Sequence, residues 1–290
     1  MAFSELFLYG GFAAGWLVGR WRPSRSPWVG RATFASVVAL VALLGASFRS
    51  IAESQLADTL PWALGLAVGI LATTAGLYLV LRRWEEAPRE EPARSEAASP
   101  GRLPTSGVLV ATLFAGYGVG RAVVLPTSLL LTVALVVLLT LVGYGIELNL
   151  ASVRRAWLPI VSAVAGAGLV GLAAVLVGGL SAVPALATVF GFGWYSLAGP
   201  LVSARLGATF GLLAFLANFL REALTMVLAP YLGPRLRGEG LSALGGATAM
   251  DTTLYFVVRY GDRRAGGLAV ASGLTLSIAA GLLVPFVLAL

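Results

Sequence analysis

Apolar runs of about 20 residues, the length that crosses a hydrocarbon core, recur along nearly the whole 290-residue chain. They lie roughly at 3–19, 31–49, 60–82, 106–122, 127–147, 157–178, 184–203, 207–231, 241–258 and 265–289. Only 11% of residues are charged and the mean hydropathy is +0.90, against roughly 25% charged in an ordinary soluble domain. The expectation is an all-α polytopic membrane protein with 8–10 transmembrane segments. The formal net charge of +7 then reports topology and gives no reason to expect nucleic acid. The start of the chain lacks the basic region of a cleaved signal peptide, so the first helix is expected to stay.

If every run crosses, arginine divides unevenly between the two sides. One side takes Arg20, Arg22, Arg25, Arg31, Arg82, Arg83, Arg89, Arg94, Arg102, Arg154, Arg155, Arg205, Arg259, Arg263 and Arg264; the other takes Arg49, Arg121, Arg235 and Arg237. The positive-inside rule puts the rich side in the cytoplasm and both termini outside, in a multi-pass protein of the cell membrane. If 184–203 and 241–258 re-enter instead of crossing, eight spans remain and the termini stay on one side.

The polar stretch "WEEAPREEPARSEAASPGRLP" has no apolar face to bury and reads as a flexible cytoplasmic linker, 84–105. It separates similar halves: "GWLVGR" at 15–20 resembles "GYGVGR" at 116–121, and Gly45 and Pro61 match Gly143 and Pro159, both 98 residues further on. Three spans per copy force opposite orientations, the inverted repeat of many secondary transporters. The expected divisions are a first repeat at 1–83, a second at 106–180 and a C-terminal transport core at 181–290.

Two runs carry groups that a lipid-facing helix does not need. "GFGWYSLAGP", 191–200, has three glycines, a proline, Trp194, Tyr195 and Ser196; "GGATAMDTTL", 245–254, has Thr248, Thr252 and Asp251. Unwound backbone at membrane depth survives only inside protein or along a watery cavity, where free carbonyls and half-helix ends bind ions. The bland alternative is a glycine-rich packing kink capped by hydroxyls. Between the two runs lies "NFLREALT", 218–225. Asn218 and Glu222 share a helix face there, while Arg221 and Glu222 are adjacent and cannot both point into one cavity. Charge at this depth reads as functional by default, with a packing ion pair as the alternative. Glu147, at the end of a run, is a further acidic candidate, whereas Glu5 at an outer mouth reads as solvated. Trp194 and Tyr195 can pack on an alkyl stem or face a cation, or anchor a helix at the interface.

Glu147, Glu222 and Asp251 with one buried arginine suit a small substrate of excess positive charge. Carboxylates would hold ammonium groups; Arg221 or a half-helix end would hold a carboxylate. A carboxylate stripped of water takes up a proton more readily, so one site could exchange proton for cation on alternate strokes without histidine. The chain has no histidine, cysteine or lysine, and its 20 basic residues are all arginine, as a GC-rich genome would give. That excludes disulfides, thiolate metal sites and a Ser–Lys or Cys–His nucleophile. Neither an enzyme nor a cofactor or metal is expected.

"GFGWYSLAG", "NFLRE" and "GATAMDTTL", in this order and followed by "ASGLTLSIAAGLLVP", resemble the lysine exporter LysO family. The resemblance is specific from about 190 to 285. It implies a cytoplasmic-membrane exporter of L-lysine driven by a cation gradient, within a wider class of inverted-repeat cation–proton antiporters and anion symporters. Glu222 corresponds to the family's intramembrane glutamate in its Arg-Glu pair, and Asp251 to the aspartate after its Gly-Ala-Thr motif. The family's acid late in the second helix is absent: the chain reads "GASFRSIAES", with Arg49 there, Glu53 next along and Glu147 in the matching place of the second repeat.

The expected function is therefore secondary active export of a cationic amino acid, most simply L-lysine, coupled to proton or sodium by alternating access in the lipid bilayer. A sodium–proton antiporter or an organic-anion carrier on the same scaffold is the alternative, with a channel or intramembrane enzyme as more distant classes. The oligomeric state is left open, a homodimer being one alternative.

Overall fold

The computed structural model describes residues 2–21, 27–47, 53–84, 105–124, 126–145, 154–261 and 265–290. These are helical, with no strand among them, and the chain is an all-α polytopic membrane protein. The linker expected at 84–105 lies outside them except at its two ends, and Arg49 and Glu147 lie outside altogether. The chain forms two compact units, Met1–Ile51 with Glu96–Glu147, and Ala52–Ser95 with Leu148–Leu290.

The first unit holds α1 (Ala2–Trp21), α2 (Pro27–Ser47), α4 (Thr105–Ala122) and α5 (Thr127–Gly145). α1 packs on α5, and α2 on α4 and α5. Glycine permits close approach here as small residues do in membrane bundles. A Cβ at Gly15 or Gly19 would strike the carbonyls of Thr140 and Tyr144 of α5; at Gly116 or Gly120 it would strike those of Ala42 and Ala46 of α2.

The second unit contains α3 (Glu53–Arg82), α6 (Trp157–Leu176, entered by a 3-10 turn at Arg154–Ala156), α7 (Ala182–Val189), α8 (Tyr195–Leu206), α9 (Ala208–Gly245), α10 (Leu254–Phe256) and α11 (Ala265–Ala289). Gln55–Arg82, Arg154–Leu176, Ala208–Met250 and Ala265–Ala289 are long and apolar enough to cross a membrane. The expected runs 207–231 and 241–258 stay distinct: α9 is two helical stretches that meet at Arg237, whose φ of 55° and ψ of −172° leave helical space. Pro230 and Pro234 precede that joint, and each removes a helix N–H donor.

Each of the two runs rich in helix breakers folds back on itself. Hairpin 1, residues 182–206, returns to the end it left: Val183 and Leu206 pack on the same apolar cluster as Val287 and Leu288, and Arg205 Nε donates to the Leu288 carbonyl at 3.3 Å. Hairpin 2, residues 238–261, does likewise at the other end. Gly261 lies against the Gly238 backbone and the Tyr260 carbonyl against Gly233. Arg82 Nη1 donates to the Arg235 carbonyl at 3.1 Å, and Glu239 meets Tyr78 at 3.3 Å and Arg155 at 3.8 Å. Arg235 and Arg237 therefore share an end with Arg82 and Arg155, opposite to their placement if every run crossed. Of the two sequence readings, the re-entrant one matches. α7 and the segment 238–245 are each roughly 12 Å long at 1.5 Å per residue, less than half of a hydrocarbon core of about 30 Å.

Candidate functional site

Hairpin 1 unwinds between α7 and α8, and Asn218 of α9 closes the gap. Asn218 Nδ2 donates to the Thr188 carbonyl at the end of α7 (2.8 Å), and its Oδ1 accepts from the Gly193 N–H (2.7 Å). A third bond, to the Ala214 carbonyl at 2.8 Å, ties the amide to its own helix. Gly193, at φ 95°, turns the chain, and Phe192 beside it is held at φ 49°. A Cβ at Gly191 would stand 2.6 Å from Asn218 Nδ2, so the amide's seat exists only because residue 191 is glycine. The helix restarts at Tyr195, which places Ser196 within α8; the Ser196 side chain lies outside the described residues. Trp194 is half-buried at the cap of α8, its N–H donating to the Gly191 carbonyl at 2.8 Å. The Tyr195 ring meets Phe215 and Phe219 of α9 edge-on, with centroids 5.2 and 5.8 Å away.

Hairpin 2 breaks at Gly246 (φ 65°) and runs through a 3-10 turn, Gly246–Met250, to Asp251. Arg221 closes this gap. Its Nε donates to the Leu244 carbonyl at 3.0 Å and its Nη2 to the Ala243 carbonyl at 3.1 Å. These are orphan carbonyls at a helix C-terminus, where a cation also complements the dipole. The two tips meet directly: the Ala247 N–H donates to the Phe192 carbonyl at 2.9 Å. Thr248 donates to the Gly245 carbonyl at 2.9 Å and lies 3.4 Å from the Thr253 hydroxyl, so it serves the turn itself. Thr252 serves Asp251, whose Oδ1 accepts from both its N–H and its hydroxyl, the latter at 3.1 Å.

Glu222 is claimed by neither hairpin. It is 1% exposed, and neither carboxylate oxygen has a hydrogen-bond partner. Asp251 lies close enough to act on it electrostatically, the Thr252 hydroxyl is its nearest polar neighbour, and Tyr195 lies close to both carboxylates. The crowding of Arg221 and Glu222 is resolved by helix geometry: Arg221 turns to the carbonyls of its own chain and Glu222 to the space beside Asp251. Arg221 is itself fully buried, with Nη1 unpartnered. Among the described residues no three Asp or Glu side chains gather as a metal cage requires.

The structure thus gathers Asn218, Arg221, Glu222, Tyr195, Thr248, Asp251 and Thr252, with Trp194 at the rim of hairpin 1. Sequence reasoning missed Gly191 as the seat of the amide, and it missed Glu239. The latter reads as a loop acid between two runs, yet it opens the half-helix of hairpin 2. Its flanking Gly238 and Gly240 were the available signal.

Comparison with known proteins agrees with the family resemblance of the motifs. Residues 109–288, more than half of the chain, match the family described as lysine exporter LysO. The chain belongs to the lysine exporter LysO family. The match begins well before the motifs near residue 190 and includes both hairpins and α9. The lysine exporter LysO of Escherichia coli K12 is 39% identical over 102 residues, covering 35% of this chain and 34% of that protein. A Haemophilus influenzae protein named "Putative lysine exporter" is 32% identical over 101 residues, covering 35% of this chain and 51% of its own length. The aligned stretches thus span about a third and about half of these relatives' own lengths. No solved structure matches the chain.

Proposed function

We propose that this LysO-family protein exports L-lysine across the cell membrane by alternating access, exchanging it for a proton or a sodium ion at the meeting point of the two hairpins. The observation that carries this reading is the bare Glu222 carboxylate beside Asp251. A buried carboxylate without a partner is costly. A proton relieves it in one half of a cycle and a substrate ammonium in the other, which couples the two through one site. Arg221 has its Nη1 left for a substrate carboxylate. The lysine stem would lie toward Trp194 and the Tyr195 cluster. Glu147 and Ser196 remain candidates on sequence grounds alone.

The same reading extends to topology and ancestry. With hairpins 1 and 2 re-entrant, eight spans remain and both termini lie outside. Arg235 and Arg237 then join the cytoplasmic side and Arg205 leaves it, which sharpens the arginine asymmetry. The helices α1–α3 and α4–α6 are read as inverted copies. Gly15 and Gly19 lie 101 residues before Gly116 and Gly120, and their contacts Ala42 and Ala46 lie 98 before Thr140 and Tyr144, the offsets at which the sequence repeats.

Counterflow of radiolabelled lysine into proteoliposomes tests the proposal. Uptake is expected for the wild type loaded with unlabelled lysine, and an imposed pH or sodium gradient separates the coupling ions. Intact protein that exchanges sodium or a small carboxylate but no lysine overturns it in favour of the antiporter or anion-carrier alternative. Conduction without a fixed ratio of lysine to counter-ion would indicate a channel.

A further inference from the structure

Three helix ends converge where hairpin 2 begins, and each brings arginine. α3 closes with Arg82, Arg83 and Trp84; the entry to α6 carries Arg154, Arg155 and Trp157; α9 supplies Arg235 and Arg237 at its joint. Contacts hold them together: Arg82 to the Arg235 carbonyl, and Arg155 and Tyr78 to Glu239. Among the described residues Glu239 is the carboxylate these contacts include, beside three helix ends that carry six arginines. Arg82 and Arg155 are occupied with protein groups, whereas the side chains of Arg83, Arg154 and Arg235 are exposed. Among the described residues this end is strongly basic, and a surface of like charges attracts an anion.

The surroundings say which anion. Trp84 and Trp157 are 84% and 47% exposed at this end, the placement of interfacial anchors. Directly inward from them, α3 exposes Leu79 and Val80, and α6 exposes Val161. Guanidinium groups at this end, with exposed tryptophans and aliphatic side chains on the same helices, match a phosphate carrying acyl chains. A soluble anion would have no use for the aliphatic surface. Arginine suits phosphate through its paired donors, and basic pockets between transmembrane helices are known to hold anionic headgroups.

We propose that the α3–α6–α9 end is a binding site for an anionic phospholipid, with its phosphate between Arg83, Arg154 and Arg235 and its acyl chains along Leu79, Val80 and Val161. The site borders the Arg237 joint and is separate from the Glu222–Asp251 centre, so it stands whether or not lysine is the substrate.

The test uses the detergent-purified full chain in mixed micelles, with phosphatidylglycerol or phosphatidylcholine at the same mole fraction. Phosphatidylglycerol is expected to raise Tm by about 4 °C over phosphatidylcholine. The triple variant Arg83→Gln, Arg154→Gln, Arg235→Gln loses that rise, while its Tm in phosphatidylcholine stays within about 1 °C of the wild type. An undiminished rise in the variant, or an equal rise with phosphatidylcholine, overturns the site. So does inorganic phosphate reproducing the whole rise, since a soluble anion would then suffice. If the triple variant does not fold, native mass spectrometry of Arg83→Gln decides: less retained phosphatidylglycerol than in the wild type supports the site, and equal retention overturns it.

Discussion

Hairpins 1 and 2 face the same difficulty, backbone groups left free at membrane depth, and α9 answers it differently for each. Hairpin 1 is closed by a neutral amide, Asn218, and its tip is apolar and aromatic, with Phe190 and Phe192 5.9 Å apart and Tyr195 on Phe215 and Phe219. Hairpin 2 is closed by a guanidinium, Arg221, and its tip carries Asp251 and three threonines. The two closing residues sit three positions apart on one helix, so α9 fixes the register of both tips at once. Between them Glu222 closes nothing. One hairpin is a wall and the other carries polar chemistry, with an unspent carboxylate at the seam.

The sharpest way to break this comparison is to neutralise the seam. Glu222→Gln is expected to lower lysine exchange by about 100-fold or more, the cost of one charge-assisted contact. It should not destabilise the protein, because a proton already neutralises the carboxylate in the empty site and Gln is a neutral isostere of that form. Asp251→Asn follows with a smaller loss, since Asp251 is half-buried and already held by Thr252. A lower Tm for Glu222→Gln would give Glu222 a structural role and remove the distinction between it and its neighbours.

Stability comes next. Arg221→Met removes two charge-assisted hydrogen bonds and leaves the Ala243 and Leu244 carbonyls bare, for an expected loss of about 3–5 kcal/mol. Asn218→Ala removes three neutral bonds, for about 2–3 kcal/mol. Denaturation in detergent checks the order. If Asn218 proves the more costly, hairpin 1 is the tip that holds the core together.

How legible this was follows from the kind of interaction involved. Apolar run length and clusters of helix breakers are local signals, and they yielded the membrane class and the two breaks and pointed to Asn218, Arg221, Glu222 and Asp251, which the fold brings together. Whether a broken run crosses or folds back depends on which ends touch, as Gly261 does Gly238 and Leu206 the Val287 cluster, and such pairings leave no periodic mark. For the same reason the roles of Arg221 and Thr248 were not readable. Both residue types suit a substrate site, but their partners are carbonyls of the chain, and a carbonyl has no signature in sequence. Tyr195 was read as facing a substrate or an interface; its rings of contact come from a helix that begins thirteen residues later.

Gly191 tests the wall specifically. Gly191→Ala drives a Cβ into the Asn218 amide, and an expected loss of about 2 kcal/mol follows from either displaced bonds or overpacking. Combined with Asn218→Ala, the two losses should fall short of their sum by about 1 kcal/mol or more, because the obstacle and the displaced bonds are the same atoms. Full additivity would mean that Gly191 is constrained by something other than the amide.

The smallest effect separates two hydroxyls within hairpin 2. Thr248 and Thr252 are both buried and four residues apart, but Thr248 donates to the turn's own Gly245 carbonyl and Thr252 to the Asp251 carboxylate. Thr248→Val should therefore cost about 1 kcal/mol of stability and leave the half-saturation for lysine unchanged. Thr252→Val should do the reverse. The backbone N–H of residue 252 still holds Asp251 Oδ1, so the turn survives, while the carboxylate loses one of two orienting donors and half-saturation rises by about threefold, a change of about 0.6 kcal/mol. Paired counterflow and melting measurements on the two variants expose any exchange of roles. If both hydroxyls move Tm and neither moves half-saturation, Asp251 is part of the turn like its neighbours, and Glu222 is left as the single carboxylate available to a ligand.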